Sequence, residues 1–410
     1  MRLRGGCVTR SSDGTAGWKT SPCIVVPVLG VTQILSWGSS YYLPAVLAQP
    51  IAGDTGWSLP WVVGGLSLGL LIAGLASPFV GRRIRQYGGR PVLAASALLL
   101  STGLMGLALA PDLPVFLAAW LVIGCGMGAG LYDPAFSTLG RIYGQDARHL
   151  IATLTLFGGF ASTVCWPLSA FLVAELGWRG ACATYAVIHL IICLPLYLFA
   201  LPKEGVQKRA LPSAPAEMDQ VPATAPPSRA IFLLLAVTIM VGSTVSTVIS
   251  VHLLAILQAR DIPLAAAVAL GALVGPSQVG ARFIEMLVGR YHHPIWTKIA
   301  SVSLVALGLG LLWGNVSLVY LTLIFYGAGI GLESIARATL PLVLFGPDDY
   351  APIMGKLARP SLMAQAAAPS IGALLIEIWG AHVALGVVMT VAGVNVLIAW
   401  ALFGATRRHR

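Results

Sequence analysis

Residues Gly81 to Pro91 read GRRIRQYGGRP, and the fold follows from this stretch and its flanks. Apolar sequence runs into it from Trp61 to Val80 and away from it from Val92 to Ala110. Arg82, Arg83, Arg85 and Arg90 crowd the turn between. Four guanidinium groups in so short a connection do not cross a bilayer readily, so the turn is held on the cytoplasmic side of a membrane.

The bulk composition agrees. Of 410 residues, 57% are hydrophobic and 10% charged, and mean hydropathy is +0.85. A soluble chain carries about a quarter charged residues, so most of this one has lipid for solvent. The apolar runs are long and continuous, without the alternation of a membrane barrel, and runs of about 20 residues in lipid must be helices. The fold class is therefore all-α, a polytopic membrane protein. Net charge +10 invites comparison with nucleic-acid binders. The placement of the 25 Lys and Arg excludes that class: nineteen lie on alternate connections, whereas Arg179 and Arg260 alone lie opposite and Arg282, Arg337, Lys356 and Arg359 fall inside spans. Lys298 is counted with the cytoplasmic turns. This is the positive-inside pattern of a membrane protein.

Twelve spans follow, at 24–50, 59–80, 91–110, 114–140, 150–174, 180–201, 230–257, 264–288, 295–314, 317–345, 352–376 and 382–403. An even count puts both ends in the cytoplasm. The expected organisation is a cytoplasmic tail (1–23), a six-helix bundle (24–201), a Pro- and Ala-rich linker (202–229), a second six-helix bundle (230–403) and a basic tail (404–410). The first span is too long for the core of a signal peptide and is read as a retained helix. The halves echo one another. Gly126-Met127-Gly128-Ala129-Gly130-Leu131 in the fourth span returns as Gly327-Ala328-Gly329-Ile330-Gly331-Leu332 in the tenth, 201 positions on (327 − 126). Pro167 and Glu175 return as Pro369 and Glu377, 202 on (369 − 167). Duplicated helical units are an architecture of secondary transporters. The alternate glycines suit close helix packing rather than phosphate binding, and Pro134, Pro167, Pro276, Pro341 and Pro369 are expected kink points.

On these features the chain resembles the major facilitator superfamily over essentially its whole length. The family's pattern in the opening loop is a Gly, an Asp four residues on, a Gly three further, then basic residues. Gly81, Gly88 and Arg90 match it, but Arg85 stands at the aspartate position. In the family that aspartate helps to latch the inward faces of the two halves, so the resemblance implies that Arg85 meets an acid elsewhere. Asp133 of the fourth span is the expected one.

Charged groups at membrane depth are costly and face a cavity or a partner. Asp133, Arg282, Glu285, Glu333, Arg337, Lys356 and Arg359 are the set here. Arg282/Glu285 and Glu333/Arg337 are spaced as local pairs on one helix face. Asp133, Arg282, Arg337 and Arg359 lie roughly 9–12 Å from the inner span ends at about 1.5 Å per residue. Two interpretations stand. The layer is a cytoplasmic gate, with Asp133 paired to Arg85 or Arg90 and the other charges neutralising one another. Alternatively, Arg282 and Arg359 clamp an anionic substrate, a strong and directional contact for a carboxylate. Some monocarboxylate and oxalate carriers of the superfamily place cations on the eighth and eleventh helices, and this pattern is similar. Glu285 or Glu333 would carry a coupling proton if its carboxyl is poorly solvated.

Gln33, Trp37 and Tyr41 are spaced i, i+4, i+8 in the first span and set an amide, an indole and a phenol on one face. Ser243, Thr247 and Ser250 form a polar stripe on the seventh span, and Gln278 and Gln365 are further polar positions. These groups are candidates for substrate contact or for ordinary helix packing. No catalytic triad or metal-ligand spacing occurs, and the six cysteines have no CxxC. His292-His293 is expected to be a solvated turn. The expectation is a non-enzymatic secondary transporter of the cell (inner or plasma) membrane, monomeric, without cofactor or nucleic-acid partner, moving a small organic anion and coupled to protons. The rivals are an exporter of drugs, or of a metalloid such as arsenite through Cys125 or Cys165, and a non-transporting sensor.

Overall fold

The computed structural model describes residues 21–203, 229–314 and 318–408; residues 1–20 and 409–410 of the expected tails and most of the linker lie outside them. Among these residues every regular element is a helix. In chain order they are α1 (Pro22–Gly38), α2 (Leu43–Thr55), α3 (Leu59–Tyr87), α4 (Gly89–Leu109), α5 (Leu113–Gly130), α6 (Tyr132–Tyr143), α7 (Ala147–Gly159), α8 (Ala161–Ile188), α9 (Arg229–Gln258), α10 (Leu264–Gly271), α11 (Val274–Val288), α12 (Pro294–Trp313) and α13 (Val319–Arg408). A stretch of π-helix continues α8 as far as Ala200. Seven helical runs among the described residues are long and apolar enough to cross a membrane. The longest turn sharply at left-handed glycines: α8 at Gly177, α13 at Gly346 and Gly380.

Those glycines extend the internal repeat. Gly144, which ends α6 with φ 57°, corresponds to Gly346 with φ 73°, a displacement of 202 (346 − 144). Gly177 (φ 67°) corresponds to Gly380 (φ 79°), a displacement of 203 (380 − 177). Positive φ with ψ near 180° is a region that only glycine enters cheaply, so both halves place this residue type at matching turns.

The alternate glycines are close-packing positions, as expected. In α5, a Cβ on Gly124 would stand 2.5 Å from the Gly69 carbonyl oxygen and one on Gly128 would stand 3.0 Å from that of Ala73, both in α3. Gly126 and Gly130 face Leu100 and Ser96 of α4 instead. In α13, Gly327 and Gly331 meet Val274 and Gln278 of α11, and Gly329 meets Ser301 of α12. Each run thus serves two neighbours, with successive glycines pointing to opposite sides.

Four expected single spans are broken; 150–174 turns at Phe160, between α7 and α8, and the other three break just upstream of a proline. α1 and α2 separate at 39–42, before Pro44; α5 and α6 at Leu131, before Pro134; α10 and α11 at 272–273, before Pro276. Proline lacks an amide hydrogen and its ring clashes with the carbonyl four residues earlier, so the ladder opens there. Pro167, Pro341 and Pro369 lie inside continuous helix.

Packing divides the chain into two compact units, Met1–Ala76 with Gly88–Gly205, and Ser77–Tyr87 with Val206–Arg410. The inner end of α3 therefore belongs to the second unit. A Cβ on Gly81 would sit 2.3 Å from the Ala351 carbonyl oxygen, and one on Gly355 would sit 2.3 Å from that of Ser77. Beside this contact Arg85 Nη1 donates to Asp349 Oδ1 at 2.8 Å. Asp349, which the sequence reading did not single out, is thus an acid that Arg85 meets. Side-chain exposures of 52% and 58% make the pair worth at most about 1 kcal/mol. Arg85→Asp is expected to lower the thermal midpoint slightly, with recovery in the Arg85→Asp/Asp349→Arg swap and convergence of all variants in high salt. Gly81→Leu is expected to cost more, about 1–3 kcal/mol, because its side chain meets backbone that cannot rotate away. Thermal melts of the purified variants check both orderings.

Candidate functional site

In the first unit the site is built on the breaks. Pro134 has no amide hydrogen to offer the Gly130 carbonyl, and a buried carbonyl must find another donor. Gln33 of α1 supplies it: Nε2 donates to Gly130 O at 2.7 Å and to Leu131 O at 3.4 Å, while Oε1 accepts from the Trp37 indole at 3.2 Å. Gln33 is fully buried. It is a brace between α1 and the α5–α6 break, in keeping with the packing alternative for this residue. Tyr41 itself lies beyond the end of α1, in the turn that Ser39 and Ser40 begin by bonding back to the Leu35 and Ser36 carbonyls.

Aromatic rings gather around this brace. Trp37 lies 5.2 Å from Tyr41, 6.1 Å from Tyr42 and 5.0 Å from Tyr132 between ring centroids. Tyr42 reaches Trp166 at 6.2 Å, and Tyr132 stacks on Phe136 at 5.0 Å. The Tyr132 hydroxyl donates to Thr155 O of α7 at 3.4 Å. Tyr132 was not legible as a site residue, because nothing local links it to Trp37. Asp133 stands in the first turn of α6. The exposed amides and dipole of a helix N-terminus favour a negative charge there, which accounts for an acid at this depth.

In the second unit the two buried acids make cross-helix contacts. Both oxygens of Glu285 are engaged: Thr297 Oγ1 donates to Oε1 at 2.7 Å, and His292 Nε2 lies 3.4 Å from Oε2. Arg282 donates instead to Gln278 Oε1 at 3.2 Å. Both oxygens of Glu333 are engaged as well, Oε1 by Lys298 Nζ at 2.5 Å and Oε2 by Ser301 Oγ at 2.9 Å. The described contacts of these two acids run to α12 and the turn before it. His292 is a partner of a buried acid, not a solvated turn residue.

Lys298 is the largest correction. Counted as a cytoplasmic cation, it is wholly buried. A local signal for this existed. Pro294 occupies the first helical turn and the His293 ring caps the Ile295 amide, so Lys298 already lies inside α12, on one face with Ser301. A second polar group completes the unit. Gln365 Nε2 donates to Ser361 Oγ at 3.2 Å, and Ser361 Oγ donates to Ser243 Oγ at 2.8 Å, joining the α9 stripe to α13. Arg359 and Lys356 are exposed, and among the described residues no contact links Arg359 to Arg282.

Arg282 and Arg337 share a level. Gly327 faces Val274 and Gly331 faces Gln278, so α11 and this part of α13 run in the same direction. Arg282 lies four residues beyond Gln278 and Arg337 six beyond Gly331, within about one helical turn of each other along the axis. Among the described residues no group of three or more His, Cys, Asp or Glu is placed to hold a metal. Cys165 is buried against α1, where its thiol donates to Ile34 O at 3.5 Å.

Comparison with known proteins places this geometry. The family model described as Major Facilitator Superfamily matches residues 29–358. Monocarboxylate transporter 11 of Homo sapiens is 31% identical over 195 residues, covering 45% of this chain and 40% of that protein. The Chloramphenicol resistance protein of Pseudomonas aeruginosa is 30% identical over 172 residues, covering 41% and 40%. These matches thus span well under half the length of the curated relatives. The crystal structure of the human organic anion transporter MFSD10 (TETRAN) superposes with a TM-score of 0.71, over 92% of this chain and 99% of that one, at 17% identity. That likeness is one of fold.

Proposed function

The chain belongs to the Major Facilitator Superfamily, and from this we propose that it is a secondary transporter of a small organic anion, monocarboxylate-like, exposing its substrate alternately to the two sides of the cell membrane. It works as a monomer with both termini in the cytoplasm. The observation that carries the substrate class is the charge of the second unit's interior. Among the charged groups of this interior, Arg282, Lys298 and Arg337 outnumber the acids Glu285 and Glu333. A carboxylate substrate supplies the missing negative charge, and a guanidinium is the group suited to hold it. In the first unit, Trp37, Tyr41 and Tyr132 form a ring-lined surface braced by Gln33. Gln365 is the polar contact on α13, and Arg359 attracts the anion from an exposed position.

Uptake of radiolabelled monocarboxylates into proteoliposomes tests this reading. The expected result is saturable uptake of the acid and none of its neutral amide. Equal uptake of both, or of neither, overturns it. A second reading, export of toxic compounds, has one observation in its favour, the similarity to a protein named for chloramphenicol resistance. Chloramphenicol displacing nothing from the purified protein, while organic acids raise its thermal midpoint, decides for the anion.

For coupling, Glu285 is the better placed acid, because His292 connects it to the cytoplasmic turn. Wild-type uptake is expected to rise when an inward proton gradient is imposed, and Glu285→Gln to lose that response while retaining exchange of labelled for unlabelled anion. A Glu285→Gln protein that still responds to the gradient removes this residue from the coupling step.

A further inference from the structure

His252 lies within α9, one of the helices long and apolar enough to cross a membrane. An ionisable side chain at such a place is by default a functional group with a partner. Its ring is half-buried, and Nε2 lies 2.9 Å from the carbonyl oxygen of Pro369 on α13. A carbonyl only accepts, so Nε2 carries the hydrogen and Nδ1 of the neutral ring keeps a lone pair. The seat is shaped for the ring, since a Cβ on Gly372 would stand 2.5 Å from His252 Cδ2 and 2.7 Å from Nε2. In the first unit Gln33 ties α1 to a proline break with an amide, which does not titrate. His252 ties α9 to a proline with a group that does.

The level of this tie differs from that of Glu285. Gly271 faces Leu253 and Leu254, where an added Cβ would stand 3.7 and 3.9 Å from their side chains. Arg282 lies 11 positions farther along (282 − 271) and Glu285 lies 14 (285 − 271), or about 16 and 20 Å along the axis. The titratable and charged groups of the elements packed here have other positions or partners. Arg260 lies eight residues beyond His252 (260 − 252) and Glu377 eight beyond Pro369 (377 − 369). The Tyr326 hydroxyl donates to Ser246 O at 3.3 Å, and His382 stacks on Trp313. The α10 segment carries no such group. Among the described residues no ion pair joins His252 to an acid.

We propose that His252 is a proton-binding site, taking a proton from solvent at Nδ1 and thereby favouring an anion elsewhere in the second unit. The bond from Nε2 to Pro369 O is stronger when the ring is charged, so the proton and the α9–α13 tie support each other. No described carboxylate cancels the imidazolium, so its charge acts on the interior and favours a negative substrate there. Coupling between two ligands is reciprocal: the proton tightens the anion and the anion tightens the proton. The inference rests on the anion reading and adds to it a proton site apart from Glu285.

Two readouts on the full-length protein test it. The first is KM for a labelled monocarboxylate in proteoliposomes with equal pH on both sides, at about pH 5.5 and 7.5, which bracket the ordinary range of an imidazole. Wild type is expected to have a KM about fivefold lower at the acid pH, the effect of two charges some 16 Å apart in a protein interior. His252→Gln keeps an amide donor for Pro369 O but cannot titrate, and its KM is expected to stay within about twofold. A variant with the wild-type dependence, or a wild type with none, overturns the proposal. The second readout is NMR of the imidazole Cε1–H signals in detergent. The signal missing from His252→Gln is expected to move between about pH 5 and 8, and a signal that stays in place overturns the proton site. Should His252→Gln fail to fold, as judged by elution and thermal midpoint, the signal displaced in Gly372→Ala identifies the ring and the same criterion applies. A wild type that moves no organic anion overturns the anion reading, while the NMR titration still decides the proton site.

Discussion

Arg282→Gln is expected to lower kcat/KM for organic anion uptake about 10- to 100-fold. The estimate follows from the type of contact removed. A hydrogen bond to a charged group contributes about 1.5–3 kcal/mol, and each 1.4 kcal/mol is a factor of ten. Arg282 is nearly buried, so water does not substitute fully for the lost guanidinium. The loss is not expected to be a folding defect. Gln278 accepts from Arg282, and a glutamine at 282 still has an amide to offer it. Glu285 keeps Thr297 and His292. The check is uptake beside the thermal midpoint of the same preparation. A variant with wild-type uptake removes Arg282 from the substrate site, and one that simply unfolds places the residue in the scaffold.

Gln33→Leu is the second change with a large expected effect, and it acts on the scaffold of the first unit. Leucine fills nearly the same volume but donates nothing to the Gly130 carbonyl and accepts nothing from the Trp37 indole. An orphaned buried polar group costs about 1–3 kcal/mol, and two are created here. The thermal midpoint should fall clearly, and uptake should fall with it as Trp37 and Tyr132 lose their alignment. The cause can be isolated. Pro134→Ala restores an amide hydrogen at the position that would close on Gly130 O in an unbroken helix. Gln33→Leu/Pro134→Ala is therefore expected to be less destabilised than the two single changes added together, with a coupling of about 0.5–3 kcal/mol. Strict additivity would mean that the glutamine is not there to serve the proline break.

Much of the architecture was legible because it is a matter of solvent and local chemistry. The apolar runs, the arginines of Gly81–Pro91 and the glycine and proline repeat act within a few residues, and each has one meaning in lipid. The breaks were legible only in part. Pro134 and Pro276 were expected to disturb their helices, but the Gln33 amide lies 97 residues from the carbonyl it serves. Trp37 and Tyr41 were found from spacing, whereas Tyr132 and Ser361 were not, since each owes its place to a neighbouring helix.

The sequence by itself determined an all-helical membrane protein with a duplicated plan, and most of the charged residues that the structure buries, Lys298 excepted. Only the tertiary structure decided which of those charges meet. Spacing along a helix proposed Arg282 with Glu285 and Glu333 with Arg337, and the family resemblance proposed Arg85 with Asp133. The fold pairs Glu285 with Thr297 and His292, Glu333 with Lys298, and Arg85 with Asp349. The physical reason is that a buried carboxylate is stabilised by whichever donors packing brings against it with good geometry. A neighbour one turn away on the same helix offers proximity, but an adjacent helix held close by Gly329 and Gly331 offers direction and exclusion of water as well.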